Sequence, residues 1–174
     1  FPTRRSSDLE AEQLAADCFG ADRTFFLVQG STLGNLAMLM SVCQQEGDLV
    51  LVDRFCHKSV LNALMLAGAK AVFLPPLWDP QSGYAAGVEP NALQKAVDAY
   101  PEAKAVFVTR PNYFGRAWDL TDTIRIAHEA GLPVLVDEAH GAHFGFHPDV
   151  PESAIKLGAD GVVQSTHKML SAMT

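Results

Sequence analysis

The chain has 174 residues, of which 48% are hydrophobic and 19% are charged, as in an ordinary globular domain with a core of its own. Its net charge of −7 disfavours nucleic acid as a partner, because binding to a phosphate backbone requires a basic face. No apolar run approaches the length of a membrane span, and three widely spaced cysteines do not indicate a disulfide framework, so we expect a protein of the reducing cytoplasm.

The first nine residues are expected to lie outside the fold. Residues 1–9 (FPTRRSSDL) have no hydrophobic periodicity, and they resemble a common sequencing-library adapter translated in one frame. A disordered N-terminus is the alternative. We therefore predict a leader over residues 1–9 and a partial domain over residues 10–174, as an internal piece of a longer protein.

Short apolar segments that alternate with amphipathic segments predict an α/β domain. The strands are predicted at residues 25–28, 49–52, 71–74, 105–109, 133–137 and 161–164. The helices are predicted at residues 31–44, 59–66, 90–99 and 121–130, the last with Thr121 as its cap, and the longest loop at residues 75–88. Because the strands are apolar on both faces, helices must cover the sheet on both sides. The sequence thus predicts a three-layer αβα architecture with a mostly parallel sheet.

Ligands of such sheets bind beyond the carboxyl ends of the strands, so the residues that follow each strand are the candidates for a site. Gly30, Ser31 and Thr32 follow the first predicted strand and open a helix, where free N–H groups and hydroxyls can hold a phosphate. An ordinary serine cap is the alternative. The lysine and glycine spacings of a P-loop or a dinucleotide fingerprint are absent.

Two further strands are followed by residues that could bind a ligand or react with it. His57 comes after the second strand, where it could stack on a flat ring or simply be solvated. Lys168 follows the sixth strand, where a partly desolvated amine can form a Schiff base. A solvated surface lysine is the alternative.

The segment DEAHGAH follows the fifth predicted strand. Asp137 ends an apolar strand, and a carboxylate buried there needs a cationic partner, which a protonated pyridine nitrogen would supply. An ATPase box is disfavoured, because the chain lacks a phosphate-binding loop. Zinc at His140, His143 and His147 is disfavoured, because neither a cysteine set nor a helical histidine pair accompanies them. A phosphate seat, a stacking group, a carboxylate for a ring nitrogen and an amine for an aldehyde all fit pyridoxal 5'-phosphate (PLP).

Four motifs in this order resemble the large domain of the Orn/Lys/Arg decarboxylases, PLP enzymes with an aminotransferase-like fold. The motifs are VQGSTLGN, CHKS, VDEAHGAHFGFHP and VVQSTHK, and the resemblance extends from about Ala11 to Met173. It implies four catalytic residues. Lys168 would be the Schiff-base lysine, and Asp137 would be the partner of the pyridine nitrogen. His57 would stack on the ring, and His140 would lie near the cofactor hydroxyl. It also implies contacts to the phosphate from Gly30, Ser31, Thr32, Ser165 and His167, and to the opposite ring face from Ala139.

The resemblance implies the decarboxylation of arginine, lysine or ornithine to the corresponding amine and CO2, as in polyamine biosynthesis. It implies a homodimer or higher homo-oligomer, with no metal, nucleic acid or membrane, and residues outside this chain that recognise the substrate side chain. Transamination, aldol cleavage, sulfur transfer and an inactive PLP-binding subunit stay open as alternatives. A Rossmann dehydrogenase is disfavoured by the missing glycine fingerprint.

The resemblance also implies an antiparallel strand, beyond this chain, that lies between the first and sixth predicted strands. Without it, two strand edges would have no partner. We therefore predict that the isolated 174-residue polypeptide is unstable or prone to aggregation, and inactive.

Overall fold

The computed structural model describes residues 6–172, so residues 1–5 of the predicted leader lie outside the described part. The helices in this range are α1 (Ser6–Phe19), α2 (Gly30–Val42), α3 (Lys58–Leu66), α4 (Pro90–Ala99), α5 (Thr121–Glu129) and α6 (Thr166–Met169). The strands are β1 (Leu49–Asp53), β2 (Lys70–Leu74), β3 (Pro76–Trp78), β4 (Ala85–Val88), β5 (Ala105–Thr109), β6 (Val134–Asp137) and β7 (Gly161–Val163). Within residues 6–172, no helix is both long enough and apolar enough to cross a membrane.

Five strands form one parallel sheet in the order β2-β1-β5-β6-β7. Successive side chains of β1 point to opposite faces, as the pleat of a strand requires. Leu49 and Leu51 pack in the core under α4 and α5, whereas Val50 and Val52 pack under α2 and α3. The predicted three-layer αβα fold with a parallel sheet is therefore confirmed.

The predicted strand at residues 25–28 is wrong for this chain. These residues have no regular secondary structure, and their apolar side chains are strongly exposed, from 41% for Leu27 to 97% for Val28. A strand needs a neighbour for its backbone hydrogen bonds, and no strand within residues 6–172 pairs with this segment. At the edge of the sheet, β7 pairs with β6 and with no other strand within residues 6–172. The instability of the isolated chain stays a prediction. The exposed apolar segment at residues 25–28 and the open edge of the sheet at β7 support it.

The predicted loop at residues 75–88 is also wrong, because it contains the antiparallel hairpin of β3 and β4. Asp79 stabilises the turn: its carboxylate accepts hydrogen bonds from the backbone N–H of Gln81 and the hydroxyl of Ser82, and it pairs with Arg116. Pro80 and Gly83 lie in the turn and Pro76 at the start of β3, where they permit pairing, whereas Gly87 lies within β4.

Two helix starts differ from the prediction. Helix α1 begins at Ser6 and so includes the last four residues of the predicted leader; the division into leader and domain stays a prediction. Thr121 is the first residue of α5 rather than its cap. The cap position is Leu120, which makes no side-chain capping hydrogen bond, and the carboxylate of Asp119 before it accepts hydrogen bonds from both the N–H and the hydroxyl of Thr121.

Candidate active site

Helix α2 lies directly against β7, because glycine at position 34 permits a close approach. A Cβ atom on Gly34 would lie only 2.3 Å from Cγ2 of Val163, and one on Gly161 would lie 3.2 Å from Sδ of Met38. The helix therefore runs antiparallel to the strand. Its N-terminus lies at the carboxyl edge of the sheet. Helix α6, which contains Lys168, begins at the same edge.

The N-terminus of α2 is not closed by a side chain. The residue before the helix, Gln29, makes no capping hydrogen bond, and Gly30 has a left-handed φ of 65°. The alternative of an ordinary serine cap is therefore wrong: Ser31 is half-buried inside the first turn and Thr32 is exposed there. The first N–H groups of this helix thus have no capping side chain and can donate hydrogen bonds to an anion.

Asp137 is a buried carboxylate at the end of β6, with only 4% of its surface exposed. Its Oδ1 accepts a hydrogen bond from the backbone N–H of Ala139 at 3.1 Å, and its Oδ2 accepts one from Nδ2 of Asn35 at 2.8 Å. Both donors are neutral. No cationic side chain in the described part of the chain pairs with this carboxylate. The position is therefore open for the cationic partner that the prediction requires.

The neighbouring carboxylate, Glu138, already has its cation. Its Oε1 lies 3.1 Å from Nη1 of Arg110, and it also accepts hydrogen bonds from the N–H of Ala154 and from Nε2 of Gln164. Glu138 and Arg110 are almost fully buried. Because Gln164 lies between β7 and α6, this ion pair fixes the segment that leads to Lys168. Neither Arg110 nor Gln164 was identified from the sequence, since their contacts join distant positions.

Lys168 and His140 are in direct contact: Nζ lies 3.2 Å from Nε2. Partial burial lowers the pKa of His140, and the positive charge of Lys168 lowers it further. His57 acts in the same direction, whereas Asp137 opposes them. The electrostatic environment of His140 therefore includes the other three predicted catalytic residues, which the structure brings together at one edge of the sheet.

His57 caps helix α3 with its ring. Nδ1 accepts a hydrogen bond from the N–H of Ser59 at 3.2 Å and lies 2.8 Å from Oγ of the same residue. Oγ of Ser59 in turn accepts a hydrogen bond from Nδ2 of Asn35 at 2.9 Å. His57 is exposed and one of its nitrogens is held by Ser59, so the stacking role and the alternative of a solvated histidine both stay open. The motifs that predicted the site contain Asn35 and Ser59, but no local pattern assigns either residue a role.

The remaining predicted residues differ in their surroundings. Ser165 is 3% exposed, and its Oγ has no hydrogen-bond partner among residues 6–172. Ala139 is buried beside Asp137. Thr32 and His167 are exposed, and neither makes a hydrogen bond to another predicted site residue in the described part. The hydroxyl of Ser165 thus needs a hydrogen-bond partner, while the roles of Thr32 and His167 stay predictions.

The alternative of zinc at the three histidines finds no support in the geometry. The ring of His143 packs 4.8 Å from that of Phe144, and His147 lies beside Asp149 on the surface, with 3.6 Å between Nδ1 and Oδ2. His140 contacts Lys168 instead of another histidine. Within residues 6–172, no group of three or more histidine, cysteine or acidic residues could hold a metal ion.

The chain has the fold of the large domain of aminotransferase-like proteins, a parallel αβα domain, with polar residues at the carboxyl edge of β1, β6 and β7. The pyridoxal-5'-phosphate dependent protein YhfS from Escherichia coli shares this fold with a TM-score of 0.72 and 17% identity, over 93% of this chain and 41% of that one. The chain belongs to the Orn/Lys/Arg decarboxylase family, whose major-domain model matches residues 4–174.

Two relatives show the extent of the match. The chain is 51% identical over 165 residues to the uncharacterized protein YaaO of Bacillus subtilis, and 45% identical over 165 residues to an arginine decarboxylase of Bacillus cereus. Each alignment covers 95% of this chain but only 34% and 36%, respectively, of the relative. The chain therefore spans about a third of the length of the curated relatives that it matches.

Proposed function

We propose that the complete protein is a PLP-dependent decarboxylase that converts arginine, lysine or ornithine into the corresponding amine and CO2. Membership in the Orn/Lys/Arg decarboxylase family supports this reaction. The single observation that carries the proposal is the state of Asp137: it is buried at the carboxyl edge of the sheet, and its two hydrogen-bond donors are both neutral. A buried carboxylate without a cation is costly, so this position calls for a cationic ligand atom.

The residues present fit PLP at two points, its ring nitrogen and its phosphate. The carboxylate of Asp137 would pair with the protonated pyridine nitrogen. The orphaned hydroxyl of Ser165, together with Ser31, Thr32 and the open N-terminus of α2 at Gly30, would hold the phosphate. His167 is the further phosphate contact that we propose on the strength of the resemblance alone.

When bound, PLP supplies an aldehyde for amines and a ring that takes up the electron pair released when CO2 leaves. Lys168 would provide the amine that holds the cofactor through its aldehyde. The carboxylate of Asp137 would lie against the ring nitrogen and would favour the protonated form of that nitrogen. His57 and Ala139 would cover the two ring faces and exclude water from them.

His140 is placed to handle a proton at Nζ of Lys168. Because burial and the lysine charge lower the pKa of His140, its ring is neutral at neutral pH and Nε2 can accept a hydrogen bond from the amine. A neutral imidazole at this distance can hold the amine in place through a hydrogen bond from Nζ. Lys168 or His140 would then deliver the proton to the substrate Cα after CO2 has left.

Arginine is the first substrate to test, because the Bacillus cereus relative is named an arginine decarboxylase. The amine products would place the protein in polyamine biosynthesis in the cytoplasm, and we propose a homodimer or higher homo-oligomer as its assembly. Neither a membrane nor a nucleic acid is part of the proposal.

The test uses the complete protein, loaded with PLP and given arginine, lysine or ornithine in turn. Released CO2 and any 2-keto acid are both quantified. The proposal expects CO2 in equal amount to the amine from one of the three substrates, with no keto acid, and no product from the Lys168→Ala control. Keto acid without CO2 would instead indicate transamination, and bound cofactor without any product would indicate an inactive PLP-binding subunit.

A further inference from the structure

Asn35 is fully buried in the second turn of α2 and uses both hydrogens of its amide. One is donated to Oδ2 of Asp137 at 2.8 Å, and the other to Oγ of Ser59 at 2.9 Å. The amide has only two hydrogens, so its donor capacity is used completely. The side chain therefore links the strand end that carries Asp137 to the helix that carries Ser59.

The direction of these hydrogen bonds fixes the orientation of Ser59. Since its Oγ accepts from Asn35, its own hydroxyl hydrogen is free to be donated to Nδ1 of His57, 2.8 Å away. The N–H of Ser59 is donated to the same nitrogen at 3.2 Å. A nitrogen that accepts two donors carries no proton, so the ring proton of His57 lies on Nε2. The network runs from Asn35 through Ser59 to His57 on one side and ends at Asp137 on the other.

We propose that Asn35 is a positioning residue that sets the carboxylate of Asp137 and, through Ser59, the ring of His57 for the same cofactor. The inference rests on the proposed function, and it adds a role that the motif residues were not assigned. Asp137 has one other donor, the N–H of Ala139, which belongs to its own strand end and cannot fix the carboxylate in two directions. Asn35 lies on helix α2 and not in the sheet, so its hydrogen bond holds the carboxylate of Asp137 from a second direction.

The position of Asn35 also couples two parts of the site. It lies on the same helix as Gly30, Ser31 and Thr32, whose N-terminal turn would hold the phosphate. Gly34, the residue before it, is in contact with the end of β7. Any tilt of α2 would therefore change the phosphate seat and the carboxylate together, and Asn35 ties the two at a fixed separation.

The test compares the PLP affinity of the complete protein, measured on the cofactor-free form across a range of pH, for Asn35→Leu and Asn35→Asp. Both substitutions are close in size to asparagine, but leucine never donates a hydrogen bond and aspartate donates one only when it is protonated. We expect PLP affinity to fall about 10- to 100-fold for both variants at alkaline pH, since this is the typical effect of losing a hydrogen bond to a charged group. For Asn35→Asp alone, we expect part of the affinity to return as the pH is lowered.

Two controls separate positioning from mere structure. Asn62→Asp makes the same change on the exposed surface of α3 and should leave PLP affinity unchanged. Ser59→Ala removes only the arm that reaches His57 and should lower PLP affinity less than either substitution of Asn35. The melting temperature of each cofactor-free variant identifies any that fail to fold.

Wild-type affinity in both Asn35 variants would overturn the inference. Equal, pH-independent losses in the two variants, matched by a lower melting temperature, would overturn it too, because they would assign Asn35 a purely structural role. If the unmodified protein itself does not bind PLP, the proposed function fails first, and that result is recognised before any variant is made.

Discussion

Nζ of Lys168 lies 3.2 Å from Nε2 of His140, although the two residues are 28 positions apart in the chain. Two neighbouring strands make this contact possible: β6 ends just before His140, and β7 ends just before the short helix of Lys168. The parallel arrangement of β6 and β7 puts both residues at the same edge of the sheet. The amine and the imidazole therefore act as one unit.

We predict that the pKa of His140 rises in a Lys168→Met variant of the complete protein. The positive charge of Lys168 lowers this pKa, so its removal should move the pKa upwards, but not to the ordinary histidine value because partial burial still lowers it. An NMR titration of His140 checks this. Lys156→Met removes a charge that does not act on His140, and it should leave the titration unchanged.

The same lowered pKa gives the sign of a pH effect on stability. The folded protein favours neutral His140. The contribution of His140 to the free energy of unfolding is therefore fully present above the ordinary histidine pKa, and it is lost as the pH falls through the lower pKa of the folded state. A His140→Gln variant should therefore lose less stability than the unmodified protein between neutral and acidic pH. An identical loss in both proteins would contradict the assignment.

Glycine at position 34 is predicted to be indispensable for the packing of α2 against β7. Gly34→Ala places a Cβ atom 2.3 Å from Cγ2 of Val163, so the helix or the strand must shift. Overpacking of this kind costs about 1–3 kcal/mol. Urea unfolding of the complete protein measures the change.

A second substitution makes the test of Gly34 specific. Val163→Ala removes the atom that clashes, so the double variant with Gly34→Ala should recover part of the lost stability. The exposed substitution Ala37→Ser on the same helix should have almost no effect. If the double variant is no more stable than Gly34→Ala, the close contact is not the cause.

The ion pair of Arg110 and Glu138 is predicted to be a major determinant of stability near the site. Its charges are buried and 3.1 Å apart, so Arg110→Leu leaves Glu138 as an uncompensated buried carboxylate. The expected loss is about 3–5 kcal/mol in the free energy of unfolding.

Removal of both charges should be less harmful than removal of one. In the double variant Arg110→Leu with Glu138→Leu, no charge is left unpaired, and part of the stability should return. The unfolding midpoints of the single and double variants in urea provide the comparison. A double variant as unstable as the sum of the two single variants would show that the charges do not depend on each other.

Cys56 is predicted to react slowly with alkylating reagents despite its partial exposure. Burial, together with the negative charges of Asp53 and Asp137, raises the pKa of its thiol to about 11. Since the thiolate is the reactive form, Cys56 should be modified much more slowly than the exposed Cys18 at mildly alkaline pH. Peptide mass spectrometry after a time course with iodoacetamide follows both sites in one sample, and equal rates would be inconsistent with this environment.

The positions of Asp137 and Lys168 could be predicted because local signals sufficed. Each follows an apolar segment of strand length, and the order of the strands along the chain indicates a parallel sheet with one functional edge. The role of Asn35 could not be predicted in this way. It depends on a contact across 102 positions and on the rotation of α2 against β6, neither of which a local pattern specifies.

The same reasoning explains the error at residues 25–28. The apolar, aromatic composition of this segment is typical of a strand, and its local signal is as clear as that of β5. Strand formation, however, requires a pairing neighbour, which is a property of the whole sheet and not of the segment. Similarly, Thr121 lies inside α5 and not at its cap, because its N–H and hydroxyl both donate to Asp119 two positions earlier.

The central claim is that Lys168 holds the cofactor, and reduction followed by peptide mapping tests it most directly. The complete protein, incubated with PLP and then with borohydride, should carry a pyridoxyl group on the peptide that contains Lys168, and the Lys168→Ala variant should carry none. A reduced protein labelled on any other lysine, or not labelled at all, would contradict the account.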